Sequence, residues 1–179
     1  MEYTTKELML NDLHPDLLKN FNRYQKVQRC LRKENGKWVL KDVSYIEQWD
    51  ESQKKEIVSV DFTNCLISGG NVWCVYNERD EVIAFASLLS DFFGKEKQYL
   101  QLMQIHTSCE YRNKGIGKEL FRLCTEKARC LGAKKLYISA HSAEETQRFY
   151  ENIGCIDAQE INRKLAEHEP YDRQMEFVL

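Results

Sequence analysis

The chain has 179 residues, of which 42% are hydrophobic and 30% charged, a composition typical of a folded domain and not of a disordered segment. Its net charge of −2 gives no general affinity for nucleic acids or membrane surfaces. No segment approaches the roughly 18 consecutive apolar residues of a membrane span, and the first residues lack the pattern of a signal peptide. We therefore expect a single cytoplasmic domain over residues 1–179.

The seven cysteines form no C-x-x-C pair, and no histidine lies at zinc-finger spacing from any of them. Most have apolar neighbours, as Cys74 does between Trp73 and Val75. This pattern predicts buried thiols in a reducing compartment. The four histidines also show no ligand spacing, so we expect no metal site.

The first third of the chain has mostly helical signals, so we predict a helical region on the substrate side over residues 13–68. Glu34-Asn35-Gly36-Lys37 is typical of a turn, and a short strand-like run, Trp38-Val39-Leu40, follows it. Asp50 or Ser52 is a suitable N-cap for a helix that continues to about Ile67.

The rest of the chain predicts alternating strands and helices. Apolar runs and alternation indicate strands, a stripe from Leu120 to Leu131 indicates a helix that Gly132 ends, and Ser142 with Glu145 is typical of a capping box. The predicted strands are 72–77, 81–90, 99–107, 135–140, 155–162 and 173–179, and the predicted helices are 118–131 and about 144–153. This order predicts a mixed α/β (α+β) fold.

One segment has the pattern of an anion-binding loop. The predicted strand 99–107 is followed by Arg112-Asn113-Lys114-Gly115-Ile116-Gly117, which leads directly into a helix. Glycines allow a tight turn with exposed N–H groups, and a helix N-terminus has a partial positive charge. A P-loop is excluded because Gly117-Lys118 is followed by Glu119, and a dinucleotide fingerprint fails at Leu120. The remaining pattern, R-x-x-G-x-G, suits the pyrophosphate of coenzyme A.

Residues 72–179 resemble the GCN5-related N-acetyltransferase (GNAT) family. The loop Glu110–Gly117 is similar to the family's coenzyme-binding stretch, and Thr146–Gly154 is similar to its later A-x-x-F-Y-x-x-x-G segment. The resemblance implies a central, mostly antiparallel sheet flanked by helices, with strands 99–107 and 135–140 splayed apart around acetyl-CoA. It also implies direct transfer of an acetyl group to a primary amine in a ternary complex.

The resemblance further implies roles for individual residues. Backbone groups of Met103 and Ile105 would pair with pantetheine, N–H groups from Asn113 to Lys118 would hold the pyrophosphate, and Tyr150 would protonate the departing thiolate. The position where the family often has asparagine is Ala143, and Ser142 or His141 is a possible substitute. The expected coenzyme-binding residues are Met103, Gln104, Ile105, Arg112, Asn113, Lys114, Gly115, Ile116, Gly117, Lys118 and Ser142.

The general base and the acceptor are less well defined. His106 and His141, each at a strand end, and Glu144 are the candidates for the base. By the resemblance, residues 13–50 and 162–173 build the acceptor pocket, and the acids of the second segment favour a small amine over a protein lysine. A non-catalytic acetyl-CoA sensor or interaction module is the alternative.

The oligomeric state also stays open, and we expect a monomer or a homodimer. Met175, Phe177 and Leu179 alternate along the last predicted strand. They suit either a dimer edge or the core, because alternation shows only that the three side chains share one face.

Overall fold

The computed structural model describes residues 2–179, which form nine strands and five α-helices. The strands are β1 (Thr4–Glu7), β2 (Gln25–Glu34), β3 (Lys37–Glu47), β4 (Asn71–Tyr76), β5 (Val82–Leu88), β6 (Tyr99–Thr107), β7 (Lys135–Ala140), β8 (Ile156–Asp157) and β9 (Arg173–Val178). The helices are α1 (Glu51–Glu56), α2 (Thr63–Ile67), α3 (Ile116–Cys130), α4 (Glu144–Asn152) and α5 (Arg163–His168), with a π-helical segment, Ile57–Phe62, joining α1 to α2. Short 3₁₀ turns cover Leu10–Asp12 and Cys109–Tyr111.

Seven strands form one sheet in the order β1-β4-β5-β6-β7-β9-β8, in which only β6 and β7 are parallel. All seven residues of β5 are buried, because helices cover both faces of the sheet. One apolar cluster joins the sheet to α3, and a second joins the other face to the helical segment 51–67. The predicted mixed α+β fold with a mostly antiparallel sheet is confirmed.

The parallel pair β6/β7 opens after three residues. Its register joins Tyr99 to Lys135, Leu100 to Leu136 and Gln101 to Tyr137, and the rest of β6 has no partner on that side. A register shift against β5 at Met103 bends β6 where the two strands separate. The splayed strands that we expected are therefore present, and they leave one edge of β6 open.

The prediction of a helical region over residues 13–68 was wrong for its first part. Residues 25–47 form an antiparallel hairpin, β2–β3, that lies apart from the main sheet, and residues 15–20 form only turns. Asn35 and Gly36 both have positive φ values, 49° and 78°, which suits a two-residue hairpin turn. The predicted helix after Asp50 is present, and the Asp50 side chain accepts a hydrogen bond from the Gln53 N–H.

Two smaller expectations also need correction. The capping box at Ser142 is absent, because Ala143 is the N-cap of α4 and makes no side-chain cap. The predicted strand 155–162 is reduced to Ile156–Asp157.

The alternating apolar residues of the last strand pack on the core, which is one of the two alternatives that the sequence left open. The strand, β9, lies between β7 and β8, Met175 is buried, and Phe177 and Leu179 pack against the same cluster.

None of the helices among residues 2–179 is both long and apolar enough to cross a bilayer.

Candidate active site

The loop before α3 has the geometry of an anion-binding site. Asn113 and Gly115 have positive φ values of 60° and 84°, and Gly115 is the N-cap of α3. The first N–H groups of a helix have no partner within the helix, so those of Ile116 to Lys118 face outward. Their partial positive charge suits a phosphate group.

The two glycines of this loop are required for different reasons. A Cβ atom added to Gly115 would meet nothing within 4 Å, so its positive φ is the reason for glycine there. A Cβ atom on Gly117 would lie 3.3 Å from the Phe149 ring, which is closer than a comfortable contact. Gly117 therefore allows α3 and α4 to pack closely beside the loop.

The basic residues of the loop differ in whether their side chains already have a bonding partner. The Arg112 guanidinium donates to the carbonyl oxygens of Thr107 (3.1 Å) and Arg23 (3.2 Å), so it connects the loop to these two backbone segments. Lys114 donates to the carbonyl of Glu110 at 2.8 Å. Lys118 is exposed and has no ion pair among residues 2–179, so it is available to an anion at the helix N-terminus.

The open edge of β6 presents backbone groups to the gap beside β7. The Ser108 N–H donates to the Ile83 carbonyl at 2.8 Å, and pairing in an antiparallel ladder alternates along the strand. By this alternation Gln104 and His106 direct their backbone groups toward β5, while Ile105 and Thr107 direct theirs into the gap. The Thr107 carbonyl already accepts from Arg112, so the unpaired backbone groups on this edge are those of Ile105.

The side chain of Gln104 lies on the face of the helical segment 51–67. Its Nε2 donates to Asp61 Oδ2 at 2.7 Å, while its Oε1 is buried without a hydrogen bond. Burial raises the pKa of Asp61. Met103, the remaining residue predicted on this strand, lies at the bulge and is half-buried.

Tyr150 lies in α4 and is only 6% exposed. Its ring contacts Phe121 and Phe149, with centroids 6.5 Å and 5.1 Å away. Its hydroxyl makes no hydrogen bond with any of residues 2–179. Burial raises the pKa of Tyr150, so the phenol keeps its proton at neutral pH.

His106 lies on the opposite face of the sheet from α3. Its ring packs against Trp49 and Phe85, with centroids 4.8 Å and 5.3 Å away. Burial, together with the nearby Arg23 guanidinium, lowers the pKa of His106 to about 3. The imidazole is therefore neutral throughout the physiological range.

His141 and Glu144 are both held by neighbours. The Nε2–H of His141 donates to Glu47 at 2.8 Å, and its Nδ1 accepts from the Ala143 N–H at 3.2 Å. Glu144 pairs with Arg29 and with Arg148, each at 2.7 Å. The structure therefore brings neither side chain to the gap as a free base.

Glu47 is a residue that the sequence analysis missed. It lies at the end of β3, where its carboxylate accepts from His141 and from Arg23 Nη2 at 2.7 Å. The hydrogen bond from His141 lowers the pKa of Glu47 despite partial burial. The sequence contained no signal for this residue, because no strand was predicted at Glu47 and its partner His141 is distant in the sequence.

Ser142 joins the hairpin to the loop after β7. Its hydroxyl accepts from Arg32 Nη1 at 2.7 Å, and its carbonyl accepts from the Leu31 N–H at 2.7 Å. The residue is 3% exposed. Both the hydroxyl and the carbonyl oxygen of Ser142 are thus hydrogen-bonded to the hairpin, and we assign this residue no contact with a ligand.

A surface cleft of about 430 Å³ lies between the hairpin β2–β3 and the segment 157–174. Its residues come from both segments that the sequence analysis associated with an acceptor. Its polar and aromatic lining consists of Arg32, Lys33, Trp38, Asp157, Tyr171, Asp172 and Gln174. Among residues 2–179, no three His, Cys, Asp or Glu side chains lie close enough together to hold a metal ion.

The chain matches one protein family over three quarters of its length. The sequence model of the Acetyltransferase (GNAT) family matches residues 21–155. The chain belongs to this family of acetyltransferases, and the resemblance that we noted in the sequence is confirmed. A comparison with curated proteins gives no match.

Solved structures of acetyltransferases have the same fold. A putative streptothricin acetyltransferase from Bacillus anthracis, solved with acetyl coenzyme A, aligns with a TM-score of 0.75 at 16% identity, covering 100% of this chain and 99% of the other. A nourseothricin acetyltransferase aligns with a TM-score of 0.69 at 14% identity, covering 98% of each chain. A GNAT family acetyltransferase from Elizabethkingia anophelis, with acetyl-CoA bound, gives 0.59 at 17% identity over 99% and 98%.

Proposed function

We propose that this protein transfers the acetyl group of acetyl-CoA to a primary amine of a small molecule, within a ternary complex. The open edge of β6 beside the N-terminus of α3 carries this proposal. An extended amide chain fits the edge, and a pyrophosphate fits the helix N-terminus. Two of the structural neighbours hold acetyl-CoA, which supports the same cosubstrate here.

The contacts to the coenzyme follow from this arrangement. The N–H groups from Asn113 to Lys118 would bind the pyrophosphate, and the Lys118 ammonium would add a full charge. The backbone groups of Ile105, which face the gap, would pair with pantetheine and hold the thioester oxygen. The fit rests on the positive φ of Gly115, because that conformation directs the N–H groups outward.

The roles in the reaction differ from some of our expectations. Tyr150 keeps its proton and has no hydrogen-bond partner in the free protein, which suits an acid that protonates the leaving thiolate. We propose no base role for His106, whose pKa of about 3 prevents it from holding a proton at neutral pH. The carboxylate oxygens of Glu144 are held by two guanidinium groups, so we assign it none either.

The size of the cleft supports a small acceptor. A cavity of about 430 Å³ is within the usual range for small-molecule sites. Two structural neighbours are acetyltransferases named for streptothricin and nourseothricin.

All seven cysteines are free thiols, which supports our expectation of a reducing compartment such as the cytoplasm.

Acetyl-CoA binding, measured by calorimetry on protein stripped of copurified coenzyme, tests the first half of the proposal. Gly115→Glu places a carboxylate in the loop and should abolish binding. Gly132→Glu is the matched control, because Gly132 has a φ of 92°, has equally open space and lies at the other end of α3. Both variants carry the same backbone strain of about 1–2 kcal/mol, so a loss confined to Gly115→Glu isolates the loop.

Amine-dependent release of CoA, followed as free thiol over a panel of small amines and lysine peptides, tests the second half. Release with small amines supports the proposal. Release with lysine peptides alone would indicate that the acceptor is a protein and not a small molecule. Tight binding without any release would favour the acetyl-CoA sensor or interaction module.

A further inference from the structure

The cleft between the hairpin and the segment 157–174 has uncompensated positive charge on its hairpin wall. Arg32 donates to the Leu31 carbonyl and to Ser142, and its guanidinium lies 4.6 Å from the Tyr171 ring centre. The Lys33 ammonium lies 5.6 Å from the Trp38 ring centre. Neither cation has an ion pair among residues 2–179, although both line the cleft.

The opposite wall holds two carboxylates, Asp157, which is paired with Arg173, and Asp172, which has no cationic partner among residues 2–179 and is held by hydrogen bonds. Ser139 Oγ donates to Asp172 Oδ2 at 3.2 Å, and Ser139 in turn accepts from Gln174 Nε2 at 2.9 Å. Gln174 Oε1 accepts from the Tyr137 hydroxyl at 2.8 Å, and that hydroxyl accepts from the Asn162 N–H at 2.9 Å.

The middle of this chain of hydrogen bonds is buried, since Tyr137 is 0% and Gln174 is 8% exposed, whereas Ser139, Asp172 and Asn162 are partly exposed. Each group in the network is the hydrogen-bond partner of the next, so the network fixes the orientation of the Asp172 carboxylate. It ends on one oxygen of Asp172 and leaves the other, Oδ1, without a hydrogen bond among the described residues.

The position of Asp172 connects the cleft to the gap between the splayed strands. Ser139, its partner, lies on β7 beyond the last residue that pairs with β6. The charge of Asp172 also contributes to raising the pKa of Tyr150, so the two groups lie within electrostatic reach of each other. Burial raises the pKa of Asp172, the charges of Glu169 and Glu47 raise it further, and the charge of His141 lowers it.

We propose that this cleft is the acceptor site and that it takes a small zwitterion of the amino-acid type, a primary amine that also carries a carboxylate. Asp172 binds the ammonium group, and Arg32 and Lys33 bind the carboxylate. This assignment rests on the proposed acetyl transfer and specifies the chemical class of its acceptor. A polyamine would satisfy Asp172 but would place a second cation against the two positive side chains.

The proton balance of the reaction fits this arrangement. The bound ammonium gives one proton to Asp172, and the neutral nitrogen attacks the acetyl carbon, forming the C–N bond as the C–S bond breaks. The nitrogen loses its second proton as the amide forms. Tyr150 gives its proton to the sulfur and is restored by the proton from nitrogen. Asp172 then releases its proton to water.

Binding of matched pairs to the CoA-saturated protein, measured by calorimetry, tests the assignment without any need for turnover. The pairs are L-lysine and cadaverine, L-ornithine and putrescine, and L-phenylalanine and phenethylamine, which differ only by the carboxylate. In at least one pair we expect the amino acid to bind at least tenfold more tightly. Equal or tighter binding of the amine in every pair, or no binding by any probe, would overturn the proposal.

Two variants with matched controls assign the two ends of the site. Lys33→Glu should reduce the preference for the amino acid at least fivefold, whereas Lys37→Glu, on the same hairpin but outside the cleft, should not. Asp172→Asn should weaken both members of a pair at least tenfold, whereas Glu169→Gln should not. Preserved binding in Lys33→Glu and Asp172→Asn, with folding verified by circular dichroism, would contradict the site.

Failure of this assignment is distinguishable from failure of the proposed function. Amino acids that bind at the cleft but are not acetylated would support the site and contradict the reaction. Acetylation of amines without carboxylates, combined with no binding of amino acids, would support the reaction and overturn the site.

Discussion

Replacing Tyr150 by phenylalanine removes one oxygen atom from a side chain that is 6% exposed and otherwise packed against Phe121 and Phe149. The hydroxyl has no hydrogen-bond partner among residues 2–179, so the change breaks no contact in the free protein. The hydroxyl is not among the fully buried side-chain atoms that lack a hydrogen bond, so its removal relieves no desolvation penalty. We therefore expect the free energy of unfolding of Tyr150→Phe to stay within about 1 kcal/mol of the wild-type value.

Turnover should respond differently from stability. A positioned acid typically contributes a factor of about 10²–10⁴ to the rate, which corresponds to roughly 2.7–5.4 kcal/mol of transition-state stabilisation. We expect kcat to fall by about that factor, while calorimetry should show the same affinity for acetyl-CoA, since the coenzyme contacts that we propose are in the loop and on β6.

Tyr137→Phe is the matched control. The Tyr137 hydroxyl donates to Gln174 and accepts from the Asn162 N–H, so its loss leaves two buried groups unpaired. This variant should unfold about 1–3 kcal/mol more easily in urea. If Tyr150→Phe also lost stability of this size, or kept its turnover within twofold of the wild type, the acid role would be refuted.

Three further predictions concern individual charges. Lys135→Met leaves the buried Glu176 without the cation that lies 2.7 Å away, so the free energy of unfolding, measured in urea, should fall by about 3–5 kcal/mol. Adding Glu176→Gln to this variant removes the unpaired charge and should partly restore the stability. Because the hydrogen bond from His141 depresses the pKa of Glu47, this carboxylate stabilises the fold above its unfolded pKa of about 4.3 and loses that effect as the pH falls through its lower folded value. The free energy of unfolding of Glu47→Gln should therefore fall less than that of the wild type between about pH 5 and pH 3. The same decrease in both proteins over this range would contradict the prediction. The His106 ring signals in NMR should not titrate between about pH 5 and pH 8, since its pKa is about 3, and a midpoint near 6.5 would show an accessible imidazole.

The coenzyme side of the fold could be predicted because its signals are local. The bounds of β6 and β7 agree with the predicted strands 99–107 and 135–140, and the glycine pattern located the start of α3. Each of these features depends on residues within a few positions of one another. The steric requirement at Gly115 can be recognised in the same way, since only glycine adopts a positive φ at little cost.

The hairpin β2–β3 could not be recognised from its hydrophobic pattern. The alternation in β2 is interrupted by a register shift between Val27 and Arg29, and β3 has no fully buried residue. A strand that is exposed on both faces has no period-two signal. The turn at Asn35-Gly36 and the short strand-like run 38–40 were visible, but the residues before the turn did not indicate a strand that could pair with it.

The polar contacts of the site could not be predicted either. Glu47 meets His141, and Asp172 meets Ser139, only because the fold brings distant segments together. The candidate bases were chosen for their position at strand ends, which says nothing about their partners. His106 illustrates this, since its surroundings of Trp49 and Phe85 lower its pKa to about 3.

The attachment of the hairpin to α4 has a consequence for how acceptors are distinguished. Ser142 accepts hydrogen bonds from Leu31 and Arg32, and Glu144 pairs with Arg29, so one wall of the cleft is anchored to the first turn of the helix that carries Tyr150. If the cleft is the acceptor site that we propose, an amine that displaces the hairpin would also disturb the start of α4. A poorly fitting acceptor would then lower kcat, through the position of the Tyr150 phenol, as well as its own binding.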